Sequence, residues 1–202
     1  MGRKSGNGSD RARMVLAQEA ARIIVEQGIS DYRLAKQKAA ERLGMSERGS
    51  LPGNSEIEQA VADYQQLFLG DTHWSFLETM RRAALAAMEL LDAFSPRIAG
   101  AVLHGTAGVH SAVDLHVFSD SVEQVAFCLA DGGVSYRPFD RRLKSRRGRS
   151  ESYAGLRFML METPIEATVF PFDGIRQAPI SPVDGRPMRR ADARALREML
   201  GR

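Results

Sequence analysis

The first half of the chain alternates between apolar and polar positions with the period of an α-helix. Between Ile57 and Phe68, apolar residues recur every three or four positions, which places them on one face of a helix. The dipeptide Ser95-Pro96 is typical of a helix end. We predict helices over residues 9–27, 31–43, 55–68 and 72–94. The pattern therefore predicts a helical domain at residues 9–95, after a flexible tail at residues 1–8.

The second half of the chain changes to the pattern of a mixed α/β unit. Val113, Leu115 and Val117 alternate with Asp114, His116 and Phe118, the period of two that is typical of a half-buried strand. Thr163-Pro164 is predicted as a hairpin turn. The other predicted elements are strands at 98–103, 134–139, 156–162 and 165–170 and helices at 121–130 and 191–200. Helices followed by a mixed unit make an α+β pattern, so we predict fold class α+β with a small mixed-sheet domain at residues 96–202.

The composition favours a cytoplasmic protein without a membrane partner. The 202 residues are 44% hydrophobic and 26% charged, as in an ordinary globular chain. No apolar run approaches the ~20 residues that cross a bilayer, and the first residues lack the apolar core of a signal peptide. The single cysteine, Cys128, can form no internal disulfide, which fits a reducing compartment.

The segment from Arg97 to Asp120 carries the clearest candidate chemistry. Asp114 and His116 project from one face of the predicted strand, close to the turn at Gly105 and Thr106. A backbone turn beside acidic and imidazole groups can hold a phosphate and a divalent metal together. Phosphoryl and nucleotidyl transfer depend mainly on such positioning and charge neutralisation. We therefore regard this segment as the candidate site.

This arrangement resembles the nucleotidyltransferase fold of the polymerase-beta type. Residues 103–106 (LHGT) resemble the family's first strand, which ends in Gly-Ser or Gly-Thr, and residues 113–116 (VDLH) resemble its second strand, which bears Asp-x-Asp. Glu166 corresponds to the third carboxylate, on a later strand. The resemblance covers residues 98–172. It implies metal-dependent transfer of a nucleotidyl group from a nucleoside triphosphate to an acceptor.

The resemblance also implies roles for individual residues. Asp114 and Glu166 would hold Mg²⁺ or Mn²⁺, and His116 would serve as a ligand or proton acceptor. Phosphate groups would be held by Gly105, Thr106 and Ser111. The basic run described below adds Arg146 and Arg147 as candidate phosphate-binding residues on the ground of their charge.

The chain departs from the family's acidic motif in either of two registers. If Asp114 is the first acid of the pair, His116 replaces the second, and imidazole favours softer ions such as Mn²⁺ or Zn²⁺. If Asp114 is the second acid, Ala112 replaces the first, and that ligand is lost. Three functions therefore stay open: a metal-dependent nucleotidyltransferase, a catalytically degenerate module that binds nucleotide or RNA, and a scaffold whose helical half binds a partner protein.

A basic run lies between two predicted strands. Six of the nine residues 141–149 are basic and none is acidic, although the net charge of the whole chain is only +3. We predict an exposed, poorly ordered loop that binds a triphosphate or the backbone of RNA. The alternative is a solvated loop without a ligand. Basic residues of the second helix leave a similar choice between a DNA-reading helix and an ordinary solvated face.

Overall fold

The computed structural model describes residues 6–45, 51–145 and 148–201. Its helices are α1 (Gly6–Gln27), α2 (Tyr32–Leu43), α3 (Asn54–Phe68), α4 (Gly70–Leu90), α5 (Gly100–His104), α6 (Val122–Asp131) and α7 (Ala193–Leu200). The strands are β1 (Arg97–Ala99), β2 (Val113–Phe118), β3 (Tyr136–Lys144), β4 (Ser150–Leu160) and β5 (Thr163–Phe170). The predicted fold class, α+β, is confirmed.

The five strands form one mixed sheet in the order β1-β2-β5-β4-β3. Strands β2 and β5 run parallel, and the other neighbours are antiparallel. Strand β2 is thus an inner strand of the sheet, with β1 on one side and β5 on the other. This pairing matters for the site because it places Asp114 directly opposite Glu166.

Residues 6–45, 51–73, 108–110 and 182–184 group into a first compact unit. Its core is rich in alanine, with Ala20, Ala21, Ala39 and Ala40 fully buried, so the helix backbones approach closely. The Asp31 carboxylate begins α2 by accepting hydrogen bonds from the backbone N–H groups of residues 33 and 34, at 2.7 and 3.1 Å.

The remaining described residues form a second unit around the sheet. One face of β2 and β5 is apolar and fully or largely buried, because every second residue points to it. Side chains from four helices join this core, including Leu77 and Met88 of α4, Val102 of α5, Leu129 of α6 and Leu196 of α7. The opposite face of the sheet carries the polar side chains described below.

The division between the two units lies inside α4, after His73. The sequence predicted a domain boundary between residues 95 and 96. The predicted domain boundaries stay predictions.

The first predicted strand, 98–103, is wrong in its second half. The chain is extended only over β1, and residues 100–104 form the short helix α5. Gly100 has φ +68°, a left-handed conformation that ends the extended segment. An added Cβ at Gly100 would also lie 3.3 Å from Asp114 Cβ. The turn that follows β1 thus needs glycine both for its conformation and for space beside the acid.

The β3–β4 hairpin also differs from the prediction. Strand β3 extends to Lys144, so Arg141, Arg142 and Lys144 are strand residues and not part of a loop. Regular pairing from Tyr136–Phe158 to Lys144–Ser150 holds them there. Arg146 and Arg147 lie outside the described residues.

The hairpin between β4 and β5 turns at Met161 and Glu162 instead of the predicted Thr163-Pro164. Both turn residues have positive φ, 49° and 59°. Positive φ at both positions is typical of the type I′ two-residue hairpin turn, and the usual Asn-Gly signal for that turn is missing here.

Candidate binding site on the sheet face

The site is built from alternate residues of neighbouring strands. In the parallel pair β2 and β5, Asp114 lies opposite Glu166 and His116 lies opposite Thr168. Strand β4 places Arg157 opposite Glu166 on its other side. Because side chains two apart on a strand point the same way, these five residues share one face of the sheet.

A single guanidinium group bridges the two carboxylates. The Nη1 atom of Arg141 donates to Asp114 Oδ1 at 2.6 Å, and its Nη2 atom donates to Glu166 Oε2. Arg157 also binds Glu166, with Nε 2.8 Å from Oε1. Asp114 and Glu166 are each only 17% exposed, while Arg157 is 58% exposed. The two acids are thus held together by arginine.

Phe139 supports both of these arginines. The guanidinium carbons of Arg141 and Arg157 lie 5.4 and 5.6 Å from the centre of its ring. The ring lies against Gly155, where an added Cβ would approach Phe139 Cζ to 2.4 Å. Gly155 is therefore required for the close contact between this ring and β4.

A third arginine, Arg190, reaches His116 from the segment before α7. Its Nε atom donates to His116 Nδ1 at 2.8 Å, and its Nη1 atom donates to the Gly174 carbonyl at 2.9 Å. Its guanidinium group also lies over the rings of Phe118 and Phe170, at 5.1 and 4.9 Å. Since Nδ1 accepts a hydrogen bond, the proton of the neutral imidazole is on Nε2.

Burial dominates the titration of this cluster. Burial, then the positive charges of Arg190 and Arg141, lowers the pKa of His116 well below its ordinary value. Burial raises the pKa of Asp114, and Arg141 opposes that shift only in part. Burial also lowers the pKa of Arg190 to about 10, with Arg97 contributing in the same direction. At neutral pH His116 is therefore uncharged and Arg190 is charged.

Three buried polar atoms of the cluster have no hydrogen-bond partner among the residues that the structure describes. They are His116 Nε2, Thr168 Oγ1 and Arg190 Nη2. His116 Nε2 lies 3.8 Å from Asp114 Oδ1, beyond hydrogen-bonding distance. A buried polar atom without a hydrogen-bond partner costs free energy. Such atoms are typical of sites where a ligand or a water molecule supplies the missing hydrogen bond.

The carboxylates as arranged do not fit a divalent cation. A cation would need the oxygen atoms that Arg141 already binds, and the guanidinium puts positive charge at the same place. Within residues 6–45, 51–145 and 148–201, no three His, Cys, Asp or Glu side chains are grouped so that they could hold a metal ion. The chemistry of this face is that of arginine and carboxylate.

The structure brings together Asp114, His116 and Glu166, as predicted. The turn at Gly105 and Thr106, predicted to bind phosphate, has a different role. The backbone N–H groups of Gly105 and Thr106 both donate to the Ala101 carbonyl, at 2.8 and 3.0 Å. They therefore end helix α5. The glycine that lies beside Asp114 is Gly100. Ser111 lies half-buried, two residues before β2.

Sequence reasoning missed the arginines that pair with the predicted acids. The sequence pattern assigns Arg141 to a loop, and it gives Arg157 and Arg190 no place in the site. Continued alternation along β3 would have indicated that Arg141 faces away from Arg142 and Lys144. No local signal connects Arg190 with His116, because 74 positions of sequence separate them.

Comparison with the models of known protein families, with functionally curated proteins and with solved structures finds no match to this chain. Across the described part of the chain, none of the helices combines the length and apolar character needed to span a membrane.

Proposed function

We propose that this protein is a nucleotidyltransferase-like module that binds the phosphate groups of a nucleotide on the sheet face, without metal-dependent transfer chemistry. The observation that supports it is the guanidinium of Arg141 between Asp114 and Glu166. In a metal-dependent transferase of this kind, carboxylates carry the cation that neutralises the triphosphate. Here arginine side chains supply positive charge on the same face.

The charge balance of the cluster favours an anionic ligand. Arg141, Arg157 and Arg190 contribute three positive charges against the two carboxylates, which leaves 3 − 2 = +1 before Arg97 is counted. Guanidinium groups bind phosphate oxygens in a planar, two-bond geometry and are stronger than neutral donors. Arg157 is more than half exposed, so a phosphate in solvent can reach it.

A second candidate function is metal-dependent nucleotidyl transfer, which the register of β2 and β5 favours. Asp114 and Glu166 are direct neighbours on one face, the arrangement expected of two metal-binding carboxylates. This candidate requires Arg141 to leave both acids when substrate binds.

Calorimetric titration with inorganic tripolyphosphate, in EDTA and then in Mg²⁺ or Mn²⁺, tests the proposal. We expect binding in EDTA, a loss of about tenfold or more in affinity in the double variant Arg141→Ala/Arg157→Ala, and no change in Arg194→Ala. Arg194 is the matched control, because its side chain is 86% exposed and lies on α7.

Two results would oppose the proposal. Binding that appears only with a divalent cation, together with Mg²⁺-dependent turnover of a nucleoside triphosphate, supports the second candidate instead. The absence of any tripolyphosphate binding by the natural protein contradicts both.

A further inference from the structure

A cleft of about 470 Å³ opens in the second unit beside the arginine cluster. Its lining includes Tyr153, Phe170, Asp173, Gly174 and Gln177. The volume is within the usual range for sites that bind small molecules.

The cleft continues the face that carries the arginines. Phe170 is four residues after Glu166 on β5, on the same side of the sheet. Tyr153 is the strand partner of Arg141. The carbonyl of Gly174 accepts the hydrogen bond from Arg190. A ligand whose anionic end lies on the arginines can therefore extend directly into the cleft.

An aromatic ring of fixed orientation lines the cleft. The ring of Tyr153 packs at a tilt of 42° against Phe170, with ring centres 4.5 Å apart. The hydroxyl group of Tyr153 donates to Glu151 Oε2 at 2.6 Å, which holds the other end of the ring. Phe170 is almost completely buried, whereas Tyr153 is only half-buried. Tyr153 is thus the ring on which a flat ligand can stack.

The cleft also has polar groups suited to the edge of a nucleobase. Asp173 and Gln177 are exposed residues of its lining. A carboxylate accepts hydrogen bonds from exocyclic amino groups, and a glutamine amide can both donate to and accept from adenine. Uracil lacks an exocyclic amino group, so it offers Asp173 fewer hydrogen-bond donors.

We infer that this cleft binds the base of a nucleotide, with an amino-bearing base such as adenine stacked on Tyr153 and its edge facing Asp173 and Gln177. The inference rests on the proposed function, since the arginines hold the phosphates of the same ligand. It adds where the base of that nucleotide binds and which base is preferred: adenine over uracil, in the cleft beside Tyr153.

The test compares three probes in EDTA: ATP, UTP and inorganic tripolyphosphate. We expect ATP to bind more tightly than UTP and tripolyphosphate. In Tyr153→Leu, ATP affinity should fall about tenfold, while tripolyphosphate affinity changes less than about twofold. Tyr153→Phe, which keeps the stacking ring and loses only the hydroxyl group, is the matched comparison and should recover most of the ATP affinity that Tyr153→Leu loses. Unchanged tripolyphosphate binding also shows that Tyr153→Leu is folded. Asp173→Asn should reduce the preference for ATP over UTP.

The outcomes separate this inference from the proposed function. Equal affinity for ATP and tripolyphosphate, unaffected by Tyr153→Leu, overturns the base site and leaves the phosphate site standing. If tripolyphosphate does not bind at all, the proposed function fails, and adenosine becomes the probe. Adenosine binding that is lost in Tyr153→Leu supports the cleft, and no adenosine binding overturns it.

Discussion

At the scale of the residue, the position of Arg141 decides how the carboxylates are used. Asp114 and Glu166 have the spacing and the shared face that the sequence predicted, but both are bound by the same guanidinium group. A carboxylate that is bound to an arginine competes with a phosphate group for the same guanidinium. The effect of removing the acid therefore distinguishes the two candidate functions.

Asp114→Asn keeps the shape of the side chain and removes its charge. If the face binds phosphate through arginine, Arg141 loses a competitor, and tripolyphosphate affinity in EDTA should rise about fivefold, equivalent to ~1 kcal/mol. If the protein is a metal-dependent transferase, turnover should collapse while the fold remains. Calorimetry and a nucleotide turnover assay measure the two effects. Mg²⁺-dependent transfer that survives Asp114→Asn would exclude a role for this carboxylate in transfer, and an unchanged tripolyphosphate affinity would exclude its competition for Arg141.

His116 makes the stability of the fold depend on pH. Its pKa is depressed in the folded state from an ordinary value of 6.5, because the ring is buried and faces Arg190 and Arg141. Below about pH 6.5 the unfolded chain takes up a proton that the folded protein excludes. The stability from this group is therefore present above about pH 6.5 and lost as the pH falls, by up to ~1.4 kcal/mol per pH unit. Asp114, with a raised pKa, acts in the opposite direction.

Urea unfolding at about pH 7.5 and about pH 5.5 measures this dependence. Between these two pH values, the unfolding free energy of His116→Gln should decrease much less than that of the natural protein. Glutamine can accept the hydrogen bond from Arg190, and it does not titrate. The exposed residue His104 provides the control, and His104→Gln should keep the natural decrease. A natural protein that is equally stable at both pH values would contradict the assignment.

At the scale of the element, β3 divides the basic run between two faces of the sheet. Arg141 points to the carboxylates, whereas Arg142 and Lys144 point the other way and are exposed. Binding of nucleotide on the sheet face and binding of RNA by the basic run therefore depend on different side chains.

Arg142→Ala/Lys144→Ala should leave tripolyphosphate affinity unchanged. If the basic run binds RNA, the same variant should reduce the salt dependence of single-stranded RNA binding. The slope of log affinity against log salt should fall by about 1.4, or ~0.7 for each phosphate group that the variant no longer neutralises. Fluorescence anisotropy across a salt series measures it, and Arg146→Ala/Arg147→Ala is the parallel variant. An RNA affinity that is insensitive to salt, or a slope unchanged in both variants, rules out this role.

The β4–β5 hairpin contains strained residues at its turn. Met161 and Glu162 both adopt positive φ without the glycine or asparagine that relieves it. Replacement by Asn-Gly should raise the free energy of unfolding by ~1 kcal/mol, because these residues accept a two-residue hairpin turn. Glu162→Ala keeps the strain and serves as the control. Equal stability of all three proteins in urea would indicate that the turn is not strained.

At the scale of the whole molecule, the residues that the structure describes contain two separate groups of buried apolar side chains. One lies among α1, α2 and α3 and includes Ile57, and the other lies on the apolar face of the sheet and includes Leu115. A cavity in one core should therefore leave most of the other core intact.

Ile57→Ala should destabilise its own unit by about 2–5 kcal/mol, since it removes a fully buried side chain. Hydrogen exchange followed by mass spectrometry should show faster exchange in α1 and α3 and little change in β2 and β5. Leu115→Ala should give the reverse pattern. A uniform increase in exchange for both variants would mean that the chain unfolds as one cooperative unit.

The sequence by itself determined the fold class, most of the elements and the orientation of the key acids. Period-two alternation in β2 indicated that Asp114 and His116 share a face, and the pairing of β2 with β5 brought Glu166 to them. These properties could be predicted because they depend on local spacing and on the demand that one face of a strand be buried. Element ends were less predictable where glycine or an unusual turn overrode the apolar pattern, as at Gly100 and Met161.

Only the tertiary structure decided which side chains meet the acids. Arg141 lies 27 positions after Asp114, and Arg190 lies 74 positions after His116. Such pairs depend on strand order, register and the path of a distant segment, and local spacing carries no information about them. The sequence thus determined where the carboxylates point. The fold determined that arginine, rather than open space for a cation, lies between them.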